Sequence, residues 1–529
     1  MDNAGFNYRY RKADMKSTWG YDFVKNVKSP YISLPGSVRY RKEYFGGILF
    51  NTRNGTMMDV DREAYLLILL IQIMGIVDVN DLDGIWFNVY NKHINRRAVI
   101  KIIEKLLAYK MLVVMPNGRL NKNYDVSFNH WNQISFDGPD LRLISAPETV
   151  HWAVTYKCGW DCPDCYVRRH RDDITTELDT QEALTIIDKI ADAGVFQLAI
   201  GGGEPLLRED IISIVARAHE RKLIVHVTTG RYQHEPNALR ELANYIKSLQ
   251  IGIKQEELLA HPENEKEKLI RLIAGTGELG LDIGANLMLS NSTLSAFEHI
   301  IDLLAVVGFK RLTLLRYKPP GDIQRWLKEK PDEYALLEFE RKFSKTVDTY
   351  PDIQFRVDCG LAFLERTLSP ETAEAHGIRG CTAANRILSI APDGSIFPCS
   401  QLVGQGLLAG NLLKNDLKDV WMNSEILRKY RSFRTKKSFK NSYCGQCAAK
   451  IHCGGCRVFA DDALGADPGC PEPVLSPAKL KKYHKEDLYD TILDIQESIG
   501  FTNAGFPYAS FEQIQGWLEE EFYPKWLLK

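Results

Sequence analysis

The sequence predicts an α/β protein. Its centre is a partial (β/α)6 barrel of TIM type, between an N-terminal β/winged-helix domain and a C-terminal cysteine-rich domain. Three observations carry this prediction. Six apolar segments between Val150 and Tyr317 alternate with helical stretches, as parallel strands with crossover helices require. Short strand-like runs with glycine turns precede them, then helical patterns and a final short strand. Beyond them, seven cysteines fall between Cys381 and Cys470.

The N-terminal pattern begins at Gly36. VRYRKEYFGGILFNTRNGTMMDV reads as three short strands, with turns at Gly46-Gly47 and Asn54-Gly55. Asp59 or Asp61 can cap a helix running through Ile73. INRRAVIKIIEKLLAYK is a second amphipathic helix over 94–110, and LVVM from Leu112 resembles the strand of a winged helix. Residues 1–30 are polar and irregular, and 117–147 reads as a linker rich in Asn, Asp, Gly and Pro. The barrel strands are VHWAVTY, FQLAI, LIVHVTT, LQIGI, DIGANLML and RLTLLRY, with helices near 179–193, 208–221, 236–248, 264–279 and 294–307. A helix over 333–347 and the strand IQFRV follow. ILSIAPDGSIFPCSQ reads as a hairpin turning at Asp393-Gly394. The expected domains are 1–135, 148–350, 351–475 and a helical tail, 476–529.

Composition excludes several classes. The chain of 529 residues is 45% hydrophobic and 26% charged, as in ordinary globular proteins. A net charge of -1 gives no general attraction to nucleic acid or anionic membrane, so neither is expected as a partner. The longest apolar run, from Ala64, is about 14 residues and too short to span a bilayer. The first residues, MDNAGFNYRYRKADM, lack the apolar core of a secretory signal, so export is not expected. A reducing cytoplasm is therefore expected, where clustered cysteines mean metal or redox chemistry.

Ten of the eleven cysteines lie in two constellations. Cys158, Cys162 and Cys165 form a C-x3-C-x2-C run directly after the first barrel strand. Chemistry in parallel α/β folds sits at such strand ends. Three thiolates can hold three irons of a [4Fe–4S] cube and leave the fourth open. Zinc is the alternative, but a structural zinc needs a fourth ligand, and His170 is badly spaced to be one. The second strand ends in Gly201-Gly202-Gly203-Glu204-Pro205, where bare backbone allows close approach of a ligand.

The cysteine run followed by this glycine tract resembles the radical S-adenosylmethionine (SAM) enzymes, over about 150–320. The resemblance implies that the open iron binds the amino and carboxylate groups of SAM. It implies that the Gly201–Glu204 tract holds the SAM amino group and that Tyr166 packs by the adenine. A 5′-deoxyadenosyl radical then abstracts hydrogen from substrate. Thr229-Gly230 resembles the usual end of the third strand; Gly252-Ile253-Lys254 departs from the usual S-x-D of the fourth. Asn286, Ser290 and Arg316 are candidate SAM contacts, or ordinary polar strand-end residues.

Cys381 and Cys399, then Cys444, Cys447, Cys453 and Cys456, then Cys470 resemble the SPASM extension of these enzymes, with one residue fewer before the sixth cysteine. The resemblance implies two auxiliary clusters, three [4Fe–4S] clusters in all. The distal one would use Cys444, Cys447, Cys453 and Cys470; the proximal one would use Cys381, Cys399 and Cys456. Cys359 is its candidate fourth ligand; an inert thiol and a redox or hydrogen-donor role are the alternatives. His452 is expected at the surface.

The N-terminal module resembles the PqqD-like peptide recognition element, which implies a precursor peptide whose leader adds a strand to a sheet edge. The expected function is oxidative crosslinking (C–C or thioether) of a ribosomally made peptide, with ferredoxin or flavodoxin as reductant. The rivals are a sulfatase-type maturase, a peptide epimerase, and a zinc or Fe–S regulator without catalysis.

Overall fold

In a computed structural model of the chain, the described residues span 31–470, except 91, 117–135, 137–142, 170, 172–173, 175, 231–235, 321, 367–379, 405, 451, 461–464 and 468. The polar start 1–30, most of the linker, His170 and the tail 476–529 lie outside them. The described chain forms two compact units, one ending at Ser145 and the other beginning at Ala146.

The first unit contains β1 (Tyr31–Ser33), β2 (Val38–Glu43), β3 (Gly46–Asn51), β4 (Met57–Asp61), α1 (Arg62–Met74), β5 (Ile76–Asp78), α2 (Leu82–Tyr90), α3 (Arg96–Ala108) and β6 (Val113–Met115). Strands β2-β3-β4 form one antiparallel sheet, and β5-β1-β6 a second. Asp61 starts α1 by accepting the Ala64 N–H at 2.7 Å, and Asn95 starts α3 by accepting that of Ala98 at 3.2 Å. Leu49, Ile68, Ile71, Val77 and Leu106 close a core between sheets and helices.

One reading is corrected here. Gly46 and Gly47 open β3 rather than forming the turn, which falls at Tyr44-Phe45. A Cβ on Gly46 would stand 2.2 Å from the Asp61 carbonyl carbon, and one on Gly47 would stand 2.2 Å from the Tyr65 ring. The glycines therefore serve close packing within the sheet. Helix α2 was not read from the sequence: Leu82, Ile85, Trp86, Val89 and Tyr90 follow helical spacing, but Gly84 and the exposed Phe87 interrupt the pattern.

The second unit holds the expected strands: β7 (Thr149–Thr155), β8 (Gln197–Gly202), β9 (Ile224–Thr229), β10 (Ser248–Gly252), β11 (Asp282–Leu289) and β12 (Arg311–Arg316). They pair in parallel in that order, and β13 (Gln354–Val357) extends the row beyond β12. The other edge of β7 is taken by β14 (Ile387–Ile390), also parallel, followed by antiparallel β15 (Ser395–Phe397) and β16 (Gly410–Asn411). Strands β7 and β13 do not meet, so the sheet is an open arc of ten strands.

The cysteine-rich region thus continues the barrel sheet. Its hairpin turns at Asp393-Gly394 as expected: Gly394 has φ 81°, and the Asp393 carboxylate accepts both the N–H and the hydroxyl of Ser395 at 2.9 Å. Among the described residues no helix is long and apolar enough to cross a membrane.

Candidate active site and auxiliary cysteine sites

The first cysteine loop leaves the C-terminal end of β7 and is stitched to the end of β8. Gly203 N–H donates to Thr155 O at 2.8 Å, and Glu204 N–H donates to Lys157 O at 2.9 Å. Such an approach excludes side chains. A Cβ on Gly202 (φ 121°) would lie 2.3 Å from Thr155 O, and one on Gly203 would lie 2.3 Å from Lys157 O. Gly201 faces open space instead, with nothing within 4 Å of a built Cβ.

Glu204 is buried and gathers the end of β9. Its carboxylate accepts the Thr229 hydroxyl at 2.8 and 2.9 Å and the Gly230 N–H at 3.1 Å. Three segments read separately along the chain, the cysteine loop, the glycine tract and Thr229-Gly230, therefore form one constellation.

The other face of the loop is held by Asp164, between the second and third cysteines. This buried carboxylate accepts Tyr317 Oη at 2.6 Å, Arg325 Nε at 2.7 Å and Arg325 Nη2 at 3.0 Å. Sequence reading missed all three residues. The signal available was an acidic residue inside a metal loop, but its partners lie more than 150 positions away.

Cys158, Cys162 and Cys165 are half-buried free thiols. Burial raises Cys162 above the ordinary thiol value, and nearby Lys254 opposes this. Lys254, where the fourth strand departs from the usual pattern, lies over the Trp160 ring; burial lowers its ammonium to about 8. The Tyr166 hydroxyl is pushed up to about 12, by burial first and then by Cys165 and Cys399, against a hydrogen bond with Gln401.

Among the candidate SAM contacts, Asn286 lies inside β11, in register with Gly252 at the end of β10. Ser290 is buried as a helix cap, accepting the Thr293 N–H at 3.2 Å. Arg316 departs from expectation. Its guanidinium grips Asp467 through Nη1–Oδ2 at 2.6 Å and Nη2–Oδ1 at 2.9 Å, and Nη1 also donates to Gly360 O at 3.2 Å. It is committed to the cysteine-rich region rather than to a ligand beside the first loop.

The eight C-terminal cysteines fall into two groups. Cys359, Cys381 and Cys456 lie close enough to influence one another: Cys359 lowers Cys456, and Cys456 raises Cys359. Cys399 is pushed up to about 12 by burial, partly offset by the Gln401 N–H, and it senses Cys381 and Cys456. In the second group, burial drives Cys453 well up, and Cys470, Cys444 and Cys447 add to the shift. Cys444, Cys447, Cys453 and Cys470 line one cavity together with Cys359. His452, expected at the surface, is buried, because its loop folds in with Cys453.

Buried thiols that resist ionising alone suit a cationic cluster, which holds them as thiolates. All eleven cysteines are free thiols, so the donor chemistry fits. Among the described residues no three such groups converge as around a single ion; a cube holds its thiolates farther apart than the ~3.8 Å of a zinc tetrahedron.

Comparison with known proteins agrees with this chemistry. Residues 152–304 match the radical SAM superfamily, and 381–448 match the SPASM iron–sulfur cluster-binding domain. The chain is a radical SAM enzyme carrying a SPASM domain, and its cofactors are SAM and [4Fe–4S] clusters; three clusters match SPASM enzymes. It is 26% identical to the PqqA peptide cyclase of Granulibacter bethesdensis over 64% of this chain and 90% of that protein. It is 24% identical to the AdoMet-dependent heme synthase of Methanosarcina barkeri over 61% of this chain and 95% of that protein. Crystal structures of Streptococcus suis SuiB share the fold. The SAM-bound form gives 19% identity and a TM-score of 0.60, covering 85% of this chain and 100% of SuiB. The form bound to the precursor peptide SuiA gives 18% and 0.59, covering 84% and 99%.

Proposed function

We propose that this enzyme modifies a ribosomally synthesised precursor peptide and forms an oxidative crosslink, C–C or thioether, in it. The observation that carries the reading is the pairing of a three-thiol loop with two four-thiol groups in one unit. Three donors leave a coordination site for a ligand, whereas four saturate a cluster and suit it to carrying electrons. An electron acceptor close to a substrate radical favours a new bond over simple hydrogen return.

Cys158, Cys162 and Cys165 would hold the first cluster. With SAM bound, that cluster supplies the 5′-deoxyadenosyl radical that abstracts hydrogen. Gly201 leaves room for SAM against bare backbone, Gly202 and Gly203 let the cysteine loop pack onto the end of β8, and Glu204 ties the ends of β8 and β9 together beside it. Tyr166 and Asn286 are the proposed flanking contacts. Cys359, Cys381, Cys399 and Cys456 would hold the proximal cluster, with Cys359 as fourth ligand because it lies in the same group as Cys381 and Cys456. Cys444, Cys447, Cys453 and Cys470 would hold the distal one.

The first unit is read as a PqqD-like winged-helix element for the leader. Supporting this are its three-stranded sheet with flanking helices, the peptide named for the cyclase relative, and the peptide bound to SuiB. A leader strand would gain affinity from backbone hydrogen bonds and specificity from side-chain pockets. A ferredoxin or flavodoxin in a reducing cytoplasm would supply electrons.

The test is to seek a short open reading frame beside this gene and to incubate the peptide it encodes anaerobically with SAM and reductant. A product lighter by two hydrogens supports a crosslink. Unchanged mass alongside 5′-deoxyadenosine points to an epimerase. Deletion of 1–135 that leaves peptide binding intact favours a sulfatase-type maturase.

A further inference from the structure

Asp467 has no place in the cysteine pattern, yet it touches both four-thiol groups. It is 2% exposed. Its Oδ2 accepts the Cys456 N–H at 2.9 Å, on the proximal side. Its own N–H points at Cys444 Sγ, 3.4 Å away, on the distal side. Tyr443 Oη holds its carbonyl, and Gly469 N–H donates to Oδ1 at 2.9 Å.

The charge facing this carboxylate comes from the barrel: Arg316 at the end of β12 binds both oxygens. The fit is tight enough to require glycine at two neighbours. A Cβ on Gly469 would lie 1.6 Å from Arg316 Nη2, and one on Gly455 would lie 2.5 Å from Asp467 Cβ. Phe459 covers the guanidinium at 3.8 Å. Among the described residues, the other charges near these groups are the buried pair Lys318–Asp358 at 2.6 Å, Arg457 near Cys381, and Arg434, which lies near both Cys381 and Cys453.

We infer that Arg316 and Asp467 form a neutral bridge that sets the reduction potentials of both auxiliary clusters. Each partner alone would be an uncompensated buried charge beside two groups of thiolates. Cluster potentials follow local charge and hydrogen bonds to sulfur. An unmatched Asp467 carboxylate would disfavour an added electron, and an unmatched Arg316 would favour it. The inference rests on reading the two cysteine groups as auxiliary clusters.

The test is a potentiometric titration followed by electron paramagnetic resonance, using full-length protein with Cys158, Cys162 and Cys165 replaced by alanine. Iron content and signals of that background check the cluster reading alone; if no auxiliary iron is present, that reading fails and this inference with it. With clusters present, Arg316→Met is expected to shift the auxiliary midpoints negative and Asp467→Asn to shift them positive. The double variant should return toward the starting value, and Arg316→Lys should stay near it. Shifts of one sign in both variants, no shift in either, or loss of auxiliary iron from both would overturn the inference and leave the pair a structural strut.

Discussion

The first cysteine loop and the C-terminal cysteine groups use the same donor atom in opposite settings. The loop draws three thiols from eight consecutive positions, leaves them half-buried, and stands at the open end of a parallel sheet. The C-terminal groups draw eight thiols from 359–470, bury most of them, and are supported by charged residues from the barrel. Donor number and burial, rather than ligand type, distinguish a site built to admit a molecule from sites built to pass electrons.

The contrast predicts unequal consequences of losing one thiol. Cys162→Ala should abolish 5′-deoxyadenosine formation, measured by chromatography, while the auxiliary iron stays in place. Cys359→Ala should instead uncouple the enzyme: SAM is still cleaved, but peptide product falls by about tenfold or more, as expected when a cluster's surroundings are disturbed. Retention of full product yield in Cys359→Ala would remove it from the ligand set.

Backbone approach gives a sharper test of the open site. Gly203→Ala places a methyl group 2.3 Å from Lys157 O and should raise the KM for SAM and destabilise the loop, by about 1–3 kcal/mol as overpacking typically costs. Gly201→Ala meets nothing within 4 Å and should leave the melting temperature unchanged. Equal effects of the two substitutions would mean that the glycine tract is not packed as described.

The last prediction concerns the sheet beneath the site, away from the chemistry. His226 on β9 lies between Ser248 Oγ at 2.8 Å and Gln197 Oε1 at 3.1 Å, and burial holds it to about 4. The unfolded chain binds a proton near pH 6.5 that the folded chain refuses. Stability is therefore unaffected above that pH and falls as pH drops from about 6.5 toward 4, by at most about 1.4 kcal/mol per unit. His151 is also held to about 4 and shares the window. His226→Gln should reduce the slope of urea midpoints against pH without removing it.

The order of strands β7 to β12, the hairpin at Asp393-Gly394 and the cysteine groups were legible because they rest on local signals: alternating apolar runs, turn residues and short spacings. The glycine tract was legible for the same reason. What lay beyond reach was the set of long-range partners. Asp164 with Arg325 and Tyr317, and Asp467 with Arg316, join residues 151 to 161 positions apart.

By itself the sequence determined the chemistry on offer: thiols in threes and fours, a bare backbone where a ligand can approach, and a parallel sheet whose strand ends carry them. Only the tertiary structure decided which charges oppose which carboxylates, that the cysteine-rich hairpin continues the barrel sheet through β14, and that Arg316 serves the auxiliary region. The physical reason is that donor type and local geometry are written in neighbouring residues, whereas the compensation of a buried charge depends on whatever the fold brings beside it.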